Sequence, residues 1–88
     1  MNNIKEYQKA IKKEKVEKIV NALNKNLIDF GYFLIVTKEK TVIYGQNYQI
    51  NDKAKEPFIL VYDKNYIIYA NIKIKNIIYI SPLDFHFD

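Results

Sequence analysis

The sequence of 88 residues is long enough for one domain, because a single core normally serves about 50–200 residues. Hydrophobic residues make up 49% of it and charged residues 27%, proportions that exclude an intrinsically disordered chain. The chain has no cysteine, which excludes a disulfide framework and a thiolate metal site. No apolar run approaches the roughly 18–20 residues that span a bilayer, and the first residues lack the apolar core of a signal peptide. We therefore expect a cytoplasmic protein without membrane association.

The net charge of +4 is concentrated in the first third of the chain. Residues 1–27 hold seven lysines, among them Lys12 and Lys13, against three glutamates, whereas residues 28–88 hold seven lysines and seven acids. This distribution fits a surface that attracts an anionic partner such as nucleic acid. However, every basic residue is lysine, so the guanidinium fork that suits phosphate recognition is absent. The abundance of Ile, Lys, Asn and Tyr is also what an AT-biased genome would produce.

The N-terminal segment predicts a helix over residues 3–27, which contain no Gly or Pro and are rich in Lys, Glu, Ala and Leu. At about 100° per residue the apolar positions form two separate stripes. The first comprises Ile4, Tyr7 and Ile11, and the second comprises Val16, Ile19, Val20, Leu23 and Leu27. One straight helix cannot bury both stripes against one sheet. The helix therefore bends near residues 12–15, or its first turns contact another subunit, or they fray.

From residue 28 the apolar period changes to two, which predicts antiparallel strands over 28–37, 42–50, 58–63 and 66–80. Gly45 lies inside the second strand and indicates a bulge or a sharp bend there. The fourth region has 15 residues against the usual five or six. We therefore expect it to break, near Asn71 or at Lys75-Asn76. Lys38–Lys40 and Lys64-Asn65 are predicted turns, and residues 51–57 a loop.

These elements predict an α+β, mostly β fold, in which an N-terminal helix packs on a small, strongly bent antiparallel sheet of four or five strands, a partly open barrel. The single domain spans residues 1–88: a basic helical segment at 1–27, the sheet at 28–82 and a tail at 83–88. The predicted core positions are Leu23, Leu34, Val42, Leu60, Ile72 and Ile78.

Residues suited to catalysis are few. The one histidine, His86, lies two residues from the C-terminus, where chains usually fray. Asp84, His86 and Asp88 alternate, but three residues in a tail make a weak metal-binding set. Two glycines cannot build a phosphate-cradling loop. We therefore expect a binding protein and not an enzyme, with no cofactor and no metal.

The order of elements resembles the Sm/Lsm/Hfq family, which has an N-terminal helix followed by five short, strongly bent strands. The segment 42–46, followed by 50–52, is similar to the family's second-strand pattern of apolar, x, Gly, x, then apolar, x, Asp. Residues 58–65 look like the third strand and its turn. Residues 72–80 resemble the "Lys-His-Ala-Ile" stretch of bacterial Hfq, with Asn76 where the family often has His. The turn at 38–40 and one residue inserted before Asp52 depart from the family pattern.

This resemblance implies a homo-oligomeric ring, joined through the fourth strand of one subunit and the fifth strand of the next, that binds single-stranded U- or A-rich RNA. By matching position, Phe58 would stack on a base, while Lys75 and Asn76 would contact a phosphate and a base edge. Together with the basic N-terminal segment, this gives the candidate RNA-binding residues Phe58, Lys73, Lys75, Asn76, Lys12 and Lys13.

Two other functions fit the sequence. A small protein-binding effector or inhibitor, of the type that mobile elements carry, would act through the helix and exposed aromatic side chains. Exposed aromatic residues also suit a subunit interface, so a structural subunit without a ligand is the third possibility.

Overall fold

The computed structural model of the chain describes residues 3–81 and 85–86, with side chains described at 13–68 and 70–81. It is an α+β fold with a helix packed on antiparallel strands, as predicted, but the strands form two small sheets and not the one bent sheet that the sequence predicted. The helix, α1, runs without a break through Asn3–Phe30. The side chains of the first apolar stripe, at positions 4, 7 and 11, lie outside the described residues. Among the described residues no helix has the length and apolar content needed to cross a membrane.

The helix ends three residues later than predicted because Gly31 caps it. Gly31 adopts a φ of +78°, and its N–H donates to the Leu27 carbonyl at 2.9 Å. This is the αL motif, which glycine adopts without steric cost. Residues 28–30 are therefore helical, and the prediction of a strand beginning at residue 28 is wrong.

The second apolar stripe of α1 faces the core, as predicted. Ile19 and Leu23 are fully buried, and Val16 and Leu27 pack against the core cluster. Their spacing of three and four residues places them on one helix face. Asn26 is also fully buried there, and its amide donates to the Ala22 carbonyl at 2.8 Å.

The strands form two sheets. The first sheet has the order β2-β1-β6-β7 and the second has the order β3-β4-β5. All described pairings are antiparallel. The strands are β1 (Phe33–Thr37), β2 (Val42–Gly45), β3 (Asn47–Asn51), β4 (Phe58–Tyr62), β5 (Ile68–Lys73), β6 (Ile77–Ser81) and β7 (Phe85–His86).

The strand count exceeds the predicted four or five for two reasons. The predicted second strand is divided at Gly45 into β2 and β3, one in each sheet, which confirms a sharp bend at this glycine. The short tail, for which no strand was predicted, supplies β7, where Phe85 and His86 pair with Ile80 and Tyr79.

The long region 66–80 breaks at one of the two expected points. A 3-10 turn over Ile74–Asn76 separates β5 from β6, which confirms the break at Lys75-Asn76, whereas Asn71 lies inside β5. Two backbone hydrogen bonds hold this turn: the Ile74 N–H donates to the Pro57 carbonyl at 2.9 Å, and the Lys38 N–H donates to the Asn76 carbonyl at 2.8 Å.

Both predicted turns are present and share one geometry, but the second comprises three residues, 64–66, and not the predicted two. In the first the Lys40 N–H donates to the Thr37 carbonyl, and in the second the Tyr66 N–H donates to the Asp63 carbonyl. Lys40 and Tyr66 then adopt positive φ values of 64° and 62°. A tight turn followed by a left-handed residue is a common three-residue hairpin connection, in which glycine is the usual residue at that last position.

The predicted core is only partly correct. Leu23 and Ile72 are buried, but Leu34, Leu60 and Ile78 are half-buried and Val42 is 60% exposed. In β1 the buried residues are instead Phe33, Ile35 and Thr37, and in β4 they are Ile59 and Val61. Because these strands are apolar on both faces, their alternation does not identify the face that the helix covers.

The stability of two neighbouring variants tests this assignment of the β4 faces. Ile59→Ala should cost about 2–5 kcal/mol, because Ile59 is fully buried. Leu60→Ala should cost less than half as much, because Leu60 points outward and is half-buried. Urea unfolding followed by circular dichroism measures both values, and a larger cost for Leu60→Ala would show that the faces are reversed.

Candidate functional site

The outward face of the second sheet carries a row of apolar side chains along its central strand. Phe58, Leu60 and Tyr62 alternate with the buried Ile59 and Val61, and all three are half-buried. Residues that lie directly opposite one another in an antiparallel pair share a face. Amide side chains therefore border the row, namely Asn47, Gln49 and Asn51 on β3 and Asn71 on β5. We call this surface the β4 row.

A groove of about 330 Å³ runs beside Phe58 at one end of the β4 row. Its lining joins the Phe58 and Leu60 side chains to Asn51 and to Lys53 of the following loop. The Asn51 side chain accepts hydrogen bonds from the N–H groups of Lys53 and Ala54, at 3.2 and 3.0 Å, and so shapes the start of this loop. The groove thus combines an aromatic wall with amide groups, one ammonium group and the carboxylate of Asp52.

Lys73 lies directly opposite Phe58 across the β4–β5 pair and is held by Glu56. The Lys73 Nζ is 2.8 Å from one carboxylate oxygen of Glu56, and the Lys75 Nζ is 3.1 Å from the other. Hydrogen bonds from Lys73 and Lys75, reinforced by their positive charges, lower the pKa of Glu56 to about 2. Both lysines therefore stay beside a permanently charged carboxylate at neutral pH.

A second concavity of about 410 Å³ lies between α1, the β1–β2 turn, the loop before β4 and the 3-10 turn. Its apolar lining is Val16, Pro57 and Ile74, and its polar lining is Lys15, Lys38, Lys55, Lys75 and Glu56. We call it the lysine pocket. Four ammonium groups and one carboxylate at one concavity attract anions.

The structure brings together most of the candidate RNA-binding residues. Lys73 and Lys75 meet at Glu56, and Phe58 lies opposite Lys73. Asn76 lines a groove of about 480 Å³ together with both lysines. Lys13 lines a cavity of about 490 Å³ with Lys55 and Pro57, on the helix side of the same loop. The side chain of Lys12 lies outside the described residues.

Several residues of the site were not singled out from the sequence. Glu56 was treated as part of a polar loop, although Lys73 and Lys75, two residues apart, are a signal that an acid could lie between them. The amides of the β4 row were missed because the faces of β4 were assigned in reverse. Lys15, Lys38 and Lys55 are far apart in sequence, and only the tertiary fold brings them to one pocket.

The described part of the chain contains no group of three His, Asp or Glu side chains that could hold a metal ion. His86 lies in β7 and pairs with Tyr79, whereas Asp84 and Asp88 lie outside the described residues.

No protein-family model, no curated protein and no solved structure matches this chain. The resemblance to the Sm/Lsm/Hfq family therefore rests on the sequence segments given above, and the site is interpreted from its own residues.

The pKa of Glu56 provides a direct test of the ion-pair geometry. We expect its carboxyl group to titrate near 2, and the double variant Lys73→Ala, Lys75→Ala to return it towards the ordinary value of 4.5. Since the folded pKa is the lower one, these ion pairs contribute stability above pH 4.5, and this contribution is lost as the pH falls towards 2. Carboxyl ¹³C NMR measures the titration, with Lys64→Ala as the control. A wild-type midpoint near 4.5 would contradict the geometry.

Proposed function

We propose that this chain is an Sm-like protein that binds single-stranded, U- or A-rich RNA along the β4 row. The observation that carries the proposal is the placement of Phe58 on an outward sheet face, directly opposite Lys73 and beside a groove. Binding of single strands commonly combines base stacking on aromatic rings with lysine contacts to the backbone. Amide groups bordering Phe58 supply donors and acceptors for the exposed edges of unstacked bases.

The element order supports the Sm-like part of the proposal. Five strands follow the helix when the bent β2–β3 segment is counted as one strand and the two-residue β7 is set aside. The bend falls at Gly45, inside the segment that resembles the family's second strand. The preference for U- or A-rich RNA comes from this resemblance.

A homo-oligomer is the second part of the proposal. Within the described chain β5 pairs only with β4, and its first residue, Ile68, and the preceding Ile67 are 53% and 60% exposed. An open, apolar strand edge favours pairing with another chain. The edge of β6 is covered by β7 at Tyr79 and Ile80, so a neighbour's β5 would have to replace β7 there. Light scattering should then give a solution mass several times the 10.5 kDa of one chain, and a monomer would contradict this part.

The Phe58→Ala variant tests the stacking contact. We expect it to weaken binding to oligo-U by about 1–3 kcal/mol through lost stacking, with little change in the salt dependence. Fluorescence titrations at two salt concentrations measure both quantities, and melting curves verify that the variant is folded. Tyr44→Ala is the matched control, since Tyr44 is an exposed aromatic residue on the first sheet. Equal losses in the two variants would contradict a site at Phe58.

The Glu56→Gln variant tests whether Lys73 and Lys75 bind phosphates. Removing the carboxylate releases both ammonium groups, so we expect tighter oligo-U binding and a salt slope steeper by about 0.7 for each additional phosphate that a lysine neutralises. The matched control is Glu14→Gln, which makes the same charge change and releases Lys18 from an ion pair on the helix. Equal effects of the two variants would show that only net charge matters.

The protein-binding effector is the second candidate function, and the outward face of the first sheet favours it. Leu34 lies opposite Tyr44 and Val36 opposite Val42, so this face is apolar across both strands, and Tyr32 stacks on Tyr44 with ring centroids 5.3 Å apart. Such a surface is typical of the apolar centre of a protein interface. If the folded wild-type protein binds neither oligo-U nor oligo-A at low salt, this function replaces RNA binding.

A further inference from the structure

The lysine pocket shares Glu56 and Lys75 with the proposed RNA site but lies apart from the β4 row. It lies on the helix side of the loop before β4, and its lining includes neither Phe58 nor the amides of that row. Its volume of about 410 Å³ falls within the range of roughly 300–1,000 Å³ that small-molecule sites occupy. The lysine pocket is therefore large enough to bind a small molecule without the β4 row.

The charge of the pocket is unbalanced. Its one acid, Glu56, uses both carboxylate oxygens for Lys73 and Lys75. Within the described chain Lys15, Lys38 and Lys55 form no ion pair. Burial lowers the pKa of Lys15, and repulsion from the nearby Lys38 lowers it further. A ligand with more than one negative charge would relieve this repulsion, whereas a neutral ligand would not.

The walls of the pocket are held by backbone hydrogen bonds. The Ile74 N–H donates to the Pro57 carbonyl, which joins two of the three apolar lining residues, and the Lys38 N–H donates to the Asn76 carbonyl beside Lys75. The third apolar residue, Val16, packs against the core from α1. A pocket built in this way does not have to order its backbone when a ligand enters, which favours affinity.

We propose that the lysine pocket binds a nucleotide through a terminal phosphomonoester, with the phosphate among Lys15, Lys38 and Lys55 and the nucleoside against Val16, Pro57 and Ile74. A phosphomonoester carries about −1.5 to −2 charges at neutral pH, whereas an internal phosphodiester carries one. A terminal phosphomonoester therefore matches the charge of three unpaired ammonium groups better than an internal phosphodiester of an RNA does. The nucleotide is either free or the 5′ end of an RNA, and the site does not depend on RNA binding at the β4 row.

Calorimetric titration with uridine and adenosine 5′-monophosphates, uridine and inorganic phosphate tests the pocket. We expect both monophosphates to bind, uridine not to bind, and inorganic phosphate to bind more weakly than the monophosphates. Lys15→Gln and Lys38→Gln should each weaken binding by about tenfold or more, since hydrogen bonds to charged groups are strong. Lys64→Gln, an exposed lysine of the β4–β5 turn, is the control for net charge, and Phe58→Ala should leave nucleotide binding unchanged.

A second arm compares 5′-phosphorylated with 5′-hydroxyl oligo-U of the same length. A preference for the phosphorylated strand that Lys15→Gln abolishes identifies the end of an RNA as a ligand, and binding of the monophosphates alone identifies a free nucleotide. The proposal is overturned if none of the three phosphorylated probes, the two monophosphates and the 5′-phosphorylated oligo-U, binds at millimolar concentration. Uridine binding as tightly as its monophosphate, or equal losses in Lys64→Gln and Lys15→Gln, would also overturn it.

Discussion

The close packing of the Phe33 ring against Gly45 is the contact on which the rest of the fold depends. A Cβ at Gly45 would lie 2.5 Å from two Phe33 ring atoms and 2.6 Å from a Val61 side-chain atom, so no larger residue fits without displacing them. Immediately after Gly45 the chain leaves the first sheet and enters the second. Phe33 then contacts Tyr48 edge to face, and the Tyr48 hydroxyl donates to Asn24 of α1 at 2.6 Å. The rings of Phe33 and Tyr48 therefore link both sheets to the helix.

The position of the candidate site follows from this arrangement. Ile59 and Val61 belong to the same buried core cluster as Ile19 and Leu23 of α1, so Phe58 and Leu60 on the same strand face outwards. Glu56 lies in the loop that precedes β4, and the register of β4 against β5 places Lys73 opposite Phe58. The lysine pocket forms where this loop, the 3-10 turn and α1 meet. The groove beside Phe58 and the lysine pocket thus both result from the way the helix and the two sheets pack together.

The sequence predicted those features of the fold that a few neighbouring residues determine. Glycine at position 45 predicted the bend, and the interruption at Lys75-Asn76 predicted the break between β5 and β6, because each is a property of a few neighbouring residues. The buried faces of β1 and β4 could not be predicted in the same way, since Leu34 and Leu60 are as apolar as their buried neighbours. The end of α1 depended on Gly31, which the strand-like alternation from residue 28 concealed. Of the site, Phe58, Lys73 and Lys75 came from the sequence, whereas the shared partner Glu56 required the tertiary fold.

The exposure of the Glu56 ion pairs matters for how the site can work. Lys73, Lys75 and Glu56 each have about half of the side chain exposed, at 51%, 61% and 52%. Ion pairs in such positions are screened by water and salt and add little to folding stability. Their effect is to hold two flexible lysine side chains near Phe58 and the lysine pocket before any ligand arrives, which lowers the entropy lost on binding. Because a phosphate and the Glu56 carboxylate present similar oxygen acceptors, a phosphate can replace Glu56 at Lys73 or Lys75 without leaving an ammonium group unpaired. An exposed acid between two lysines would thus keep the proposed anion site ordered and still allow a phosphate to replace the acid.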